Sequence, residues 1–269
     1  MTERLLVVHA HPDDETIATG GVMSLGLDQG HSVTLVTCTA GEAGEILVPE
    51  LAHHAQDRDD TLAEVRKVEY ENAMAALRVA DYRWLGGFGT YRDSGMEWAE
   101  DETGRRHAVP GSNIRENAFW FADLTEASNH LVPIIRETKP TMLITYDQFG
   151  NYGHPDHIQA HRVAMYATQL AGVASYLPEL GEAWQIPNIY WIAPPPPFGI
   201  VDPDFQIDVT GVVDRKIAAL KAYPTQVDMD GDRWRLPHME SIDVPRFESF
   251  RLVQGVPMPG AEPWQLPAS

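Results

Sequence analysis

The sequence predicts an α/β fold, a doubly wound and mostly parallel sheet with a C-terminal extension. Three observations point there. Short apolar runs alternate with longer amphipathic segments, the pattern of strand–helix units whose sheet is covered on both faces. The runs nearest the start are almost wholly apolar, as expected of strands buried on both sides. Polar clusters rich in His and Asp follow two of those runs, where ligands bind in such sheets.

Taken in order, Arg4 to Ala10 reads as a buried strand, Thr16 to Gln29 as a helix closed by Gly30, and Ser32 to Cys38 as the next strand, one βαβ unit. Asp60 to Arg78 places Leu62, Val65, Val68, Ala73, Ala76 and Leu77 at helical spacing and leads to a short strand at Tyr82 to Leu85. Gly86 to Asn113 is polar and too long for a routine connector, so it is expected to be either functional or mobile, and loops of that kind often carry binding groups. Asn117 to Thr138 then reads as a helix, Thr141 to Thr145 as a strand and His157 to Gly172 as a helix. This repeating rhythm is Rossmann-like, and it covers a core expected over residues 1–180. In 181–269, expected to pack on that core within the same domain, the pattern loosens. It offers strands at Ile189 to Ile192 and Phe205 to Val209, a stiff connector at Pro194 to Pro197, and a helix from Val212 to Tyr223. The last 45 residues or so carry no readable period.

Composition narrows the function. The 20 basic residues against 39 acidic ones leave a net charge of −19 with no basic patch, which disfavours nucleic acid and anionic lipid as partners. Cys38, the single cysteine, rules out an intramolecular disulfide and an all-thiolate zinc site; at the end of VTLVTC it reads as a small buried residue. The N-terminus lacks the pattern of a secretory signal and no apolar stretch reaches ~20 residues, so a soluble, cytoplasmic protein is expected. Nothing in the chain speaks to oligomeric state.

The chemistry sits in two clusters, HAHPDDE at 9–15 after the first strand and YGHPDH at 152–157 after the strand ending near Thr145. Imidazole nitrogen and carboxylate oxygen converging on one point are what a catalytic zinc needs, with one position left for water. Pro12 and Pro155 hold the residues before them out of helical geometry at the sheet rim. Each cluster alone has a plainer reading: Asp13 or Asp14 as a helix cap, His157 as a residue at a helix start. Two such clusters at the ends of two strands favour a shared site. The absence of a glycine pattern after the first strand disfavours dinucleotide binding.

These two motifs resemble the signature of the LmbE-like, phosphatidylinositol-glycan class L type family of zinc-dependent N-deacetylases, HPDDE with a distal HPDH. Further segments, TCTAGEAGE at 37–45, GTYRDSGM at 89–96 and TYDQFGNYGHPDH at 145–157, look like the family's actinobacterial branch that deacetylates N-acetylglucosaminyl-inositol in mycothiol biosynthesis. The likeness covers roughly residues 4 to 172. It implies that His11, Asp14 and His157 bind Zn2+, or Fe2+, which similar ligands suit. Asp13 is implied as general base, and His154 as the residue that stabilises or protonates the tetrahedral species. Tyr152 would hydrogen-bond its oxyanion, and Arg66 and Asp93 would contact sugar or inositol hydroxyls, with the substrate-side Glu45 near the pocket rim. Arg66, on a predicted helix, reads equally as surface charge. Asp156 could orient a histidine or cap a helix. Where the branch usually reads DPNGGYGHPDH, this chain has Gln148, Phe149 and Asn151, and the stretch Trp98 to Ser112 looks inserted.

The expected activity is thus hydrolysis of the acetamide of an N-acetylglucosamine conjugate, with an inositol-linked sugar as the implied substrate. A mycothiol S-conjugate or another N-acetylated amino sugar would serve the same chemistry. A non-catalytic, metal-dependent sugar-binding protein is the reading from a different class.

Overall fold

The computed structural model describes residues 2–194, 199, 201–237 and 239–263. The first βαβ unit is β1 (Arg4–His9), α1 (Asp14–Asp28) and β2 (Ser32–Thr37), followed by α2 (Leu62–Leu77) and β3 (Asp81–Trp84). A hairpin of β4 (Met96–Glu100) and β5 (Arg106–Pro110) comes next, then α3 (Leu124–Thr138), β6 (Met142–Tyr146), α4 (Pro155–Ala171) and β7 (Asn188–Ile192). The remainder forms β8 (Phe205–Asp208), α5 (Val213–Leu220), β9 (Asp228–Asp230), β10 (Arg233–Arg235), β11 (Ile242–Asp243), β12 (Phe247–Gln254) and β13 (Ala261–Pro263).

The main sheet has the order β13-β8-β12-β7-β6-β1-β2-β3. Its pairs from β7 to β3 are parallel, and β12 and β8 join antiparallel at the far side. The chain runs outward from β1 to β3, then returns to lay β6 on the other side of β1. Right-handed crossovers therefore place α1 and α2 on one face and α3 and α4 on the other. In keeping with this, α3 packs on α4, while α5 packs on α1 and α2. Between β1 and β6 the strand order reverses, and the crevice at their carboxyl ends is where an open α/β sheet binds ligands. The core between the layers is built from Leu6, Val7, Val8, Leu35, Val36, Leu143 and Ile144 on the strands and Met23, Met74, Leu77, Leu131 and Ile135 on the helices, all buried.

Three expectations are corrected. The helix expected from Asn117 starts at Leu124, because the Asp123 side chain caps it by accepting from Glu126 N at 2.9 Å. The connection at 86–113 holds the β4–β5 hairpin. The aperiodic tail supplies β12, which inserts between β7 and β8. The Pro194 to Pro197 run lies outside the described residues from position 195 on. Among the described residues no helix is long and apolar enough to cross a membrane.

Candidate active site

β1 ends at His9, and the chain turns sharply before α1 begins at Asp14. His9 itself points away into the fold. Its Nδ1 lies 3.1 Å from Tyr146 Oη and its Nε2 2.9 Å from Thr19 Oγ1, and burial pulls its pKa down to about 3. It is a neutral structural histidine.

His11 instead faces the crevice. Its amide donates to Asp14 Oδ2 at 2.9 Å, and its Nδ1 lies 3.1 Å from the same oxygen. His157, two residues into α4, brings Nε2 to 3.3 Å from that oxygen, without hydrogen-bond geometry. Both ring nitrogens of His157 are buried and have no hydrogen-bond partner. Such an imidazole is costly unless something else meets it. A tetrahedral ion with bonds of about 2.0–2.1 Å has ligand–ligand edges of about 3.3 Å, so the spacing about Asp14 Oδ2 fits a shared cation. His154 stands with them: the nitrogens of His11, His154 and His157 fall within 4.8 Å of one another, as do donor atoms of His11, Asp93 and Asp156. Yet His154 caps α4, its Nδ1 accepting from Asp156 N at 3.1 Å, so its proton resides on Nε2. Asp14 fits the third position better, being anionic and already shared between the other two. Burial, then the charge of His11, keeps His154 well below the usual histidine range, and the histidines around Asp14 overcome burial to hold its carboxyl well below the carboxylate range.

Two residues to which the sequence assigns no role, Tyr146 and Ser94, hold these candidate ligands in place. Tyr146, the last residue of β6, donates from Oη to Asp14 Oδ2 at 2.7 Å, accepts from Ala10 N at 2.8 Å and stacks on the His157 ring at 4.2 Å and 17°. Ser94 donates from N and Oγ to Asp156, whose Oδ2 lies 3.2 Å from His11 Nε2. A carboxylate on the far nitrogen of a metal-binding histidine fixes its tautomer and direction. We predict that Asp156→Asn weakens metal affinity by about 10–100-fold, the usual cost of losing such a partner. Competition with a chromophoric chelator would measure it, and an unchanged affinity would remove Asp156 from this role.

Asp13 occupies the N-cap position of α1 without capping it by its side chain. Its Oδ2 accepts from Arg66 at 2.8 Å. Burial raises its pKa to about 8 against the opposing charge of Arg66. Arg66 is 2% exposed, which excludes the surface-charge reading; its guanidinium also donates to the carbonyls of Pro12 and Gly41. Gly41, at φ 69°, leaves the room this guanidinium fills. Asp93 is buried too, accepting from Gly95 N and Ala43 N, with Oδ1 3.5 Å from His11 Nε2. Glu45 is exposed, and its carbonyl accepts from Gln226 Nε2.

Tyr152 is half-buried, with its ring edge-on to His157 at 5.3 Å and stacked beneath Trp98 of β4 at 5.6 Å. Its carbonyl accepts from Ala108 N of β5 at 2.8 Å. The next residue, Gly153, has φ 100°, and a Cβ there would come within 2.6 Å of Ala108 O. The inserted hairpin thus forms a wall of the crevice. The structure brings His11, Asp13, Asp14, Asp93, Tyr152, His154 and His157 together, with Arg66 behind Asp13. Cys38 is buried, and burial pushes its thiol pKa up, away from nucleophilic use.

The fold and this geometry define an α/β protein with a candidate metal site of histidines and carboxylates at the switch point of its sheet. A family profile described as PIG-L, GlcNAc-PI de-N-acetylase, matches residues 6–168, and the chain belongs to that family. It is 50% identical to the 1D-myo-inositol 2-acetamido-2-deoxy-alpha-D-glucopyranoside deacetylase of a Nocardioides species, over 94% of this chain and 93% of the relative. Among solved structures it resembles the N,N'-diacetylchitobiose deacetylase of Pyrococcus horikoshii, with TM-score 0.65 and 20% identity over 94% of this chain and 84% of that one. It is equally similar to the 4-carboxy-2-hydroxymuconate hydratase of Pseudomonas putida, with TM-score 0.66 and 19% identity over 96% and 99%. The fold therefore hosts more than one chemistry and does not by itself set the activity.

Proposed function

We propose that this chain is a zinc-dependent deacetylase that hydrolyses the acetamide of 1D-myo-inositol 2-acetamido-2-deoxy-α-D-glucopyranoside to acetate and the free amine. The observation that carries the chemistry is the convergence of His11 Nδ1, Asp14 Oδ2 and the unpartnered His157 beside the Asp13 carboxylate. The substrate rests on the name of the half-identical Nocardioides relative, which this chain matches along nearly its whole length.

In this reading His11, Asp14 and His157 hold Zn2+, with Fe2+ the other ion such ligands accept. When bound, the ion supplies Lewis acidity toward the amide carbonyl and acidifies water. Asp13, held by Arg66, accepts a proton from the attacking water and passes it to the amine nitrogen as the C–N bond breaks. His154 through Nε2–H and Tyr152 through its hydroxyl donate to the oxyanion of the tetrahedral species. Asp93 meets the sugar or inositol hydroxyls, with Glu45 near the pocket rim, and Arg66 serves that side through Asp13.

Steady-state kinetics on N-acetylglucosaminyl-inositol, free N-acetylglucosamine and a mycothiol S-conjugate test the substrate. The inositol conjugate is expected to show the highest kcat/KM by about tenfold or more, the scale that a few hydroxyl contacts provide. Equal rates on all three would sink the substrate assignment, and no amine release from any of them would sink the deacetylase.

A further inference from the structure

Asp13 has φ 101° and ψ −39°, a strained backbone state that residues other than Gly adopt only when their surroundings impose it. Its carbonyl accepts from Thr16 N and Ile17 N to open α1, and its amide donates to Glu15 Oε2 at 3.0 Å. Glu15 belongs to neither group of candidate metal donors. It is wholly buried, and no Arg or Lys ion pair meets it among the described residues. A carboxylate so placed depends on hydrogen bonds. Besides the Asp13 amide, those come from Thr16 Oγ1 at 2.6 Å and Tyr223 Oη at 2.7 Å, both to Oε1.

Tyr223 is itself fully buried, three residues beyond α5, which packs on α1 and α2. It lies well outside the family-matched residues 6–168. We infer that Glu15 and Tyr223 are positioning residues for Asp13: the C-terminal segment reaches back through one buried hydroxyl to hold the strained turn that aims the base. This rests on the proposed role of Asp13.

The test compares Tyr223→Phe, Glu15→Gln and the double variant, each with metal content and melting temperature recorded and rates taken well below melting. Tyr223→Phe is expected to lower kcat about tenfold and Glu15→Gln about a hundredfold, with KM and metal content unchanged, the scale of a displaced catalytic group. Because the two act in series, the double variant should be no slower than Glu15→Gln alone. Amide hydrogen exchange of wild type and Tyr223→Phe is followed in parallel, and exchange should quicken over residues 10–17 and not in β1, β2 or β6. An unchanged kcat in Tyr223→Phe, multiplicative effects in the double variant, or faster exchange spread through the whole chain would each overturn the inference. A wild type inert on the acetamide would count against the proposed function instead, and the exchange comparison would then decide the positioning claim by itself.

Discussion

Asp13→Asn is predicted to lower kcat for acetate release by about 10²- to 10⁴-fold, the contribution of a positioned general base, while the chain keeps its metal. The side chain keeps its size, so the turn and the α1 start have no steric reason to move. The proposed ligands His11, Asp14 and His157 are untouched, and their separations do not involve Asp13. What is lost is a carboxyl group whose ionised form can take a proton, together with its contact to Arg66. Measuring kcat, KM and bound metal on one preparation separates the possibilities. Equal loss of metal would make Asp13 structural. Unchanged acetate release would leave the site without this base, and acetate release from neither wild type nor variant would favour a sugar-binding module.

The second large effect falls on stability. Lys216 of α5 and Glu248 of β12 form a buried ion pair at 2.6 Å, and Glu248 also accepts from Gly21 N and Val22 N of α1, each at 2.8 Å. The carboxylate thus ties the sheet insertion from the tail to the helix that begins at the active site. Removing one partner strands a buried charge, at a cost of about 3–5 kcal/mol. Glu248→Ala should therefore lower Tm by roughly 10 °C, taking about 2–4 °C per kcal/mol for a chain of this size. The double replacement Lys216→Met with Glu248→Leu should recover much of that, because neither charge is then left alone. It still leaves the two α1 amides without their acceptor, so recovery should be incomplete. A Tm loss under about 2 °C for Glu248→Ala would show that water reaches the pair and screens it.

The readable parts of the chain were those where local pattern and tertiary role coincide. β1, β2 and β6 are buried on both faces, so continuous apolar runs marked them, and the two HPD clusters at strand ends marked the crevice. The misread start of α3 carried its own signal, Asp123 three residues before Glu126, a capping pattern masked by the apolar stretch NAFWFA just before it. β4 and β5 are exposed or half-buried except at Ala108 and mixed in character, which leaves no clear alternation to read. β12 gains its place by pairing with β7 and β8, not from any local period. The roles of Tyr146, Ser94 and Tyr223 depend on partners 132, 62 and 208 residues away. Arg66 shows the same limit: the helix was legible, but burial and the turn toward Asp13 follow from how α2 meets the first loop.

Metal dependence is decided by metal analysis coupled to acetate release from N-acetylglucosaminyl-inositol, on the chain as purified, after chelation and after re-addition of Zn2+. One bound divalent ion per site is expected, with loss of acetate release when it is removed and recovery when Zn2+ returns. Undiminished acetate release from the metal-free chain would contradict metal dependence.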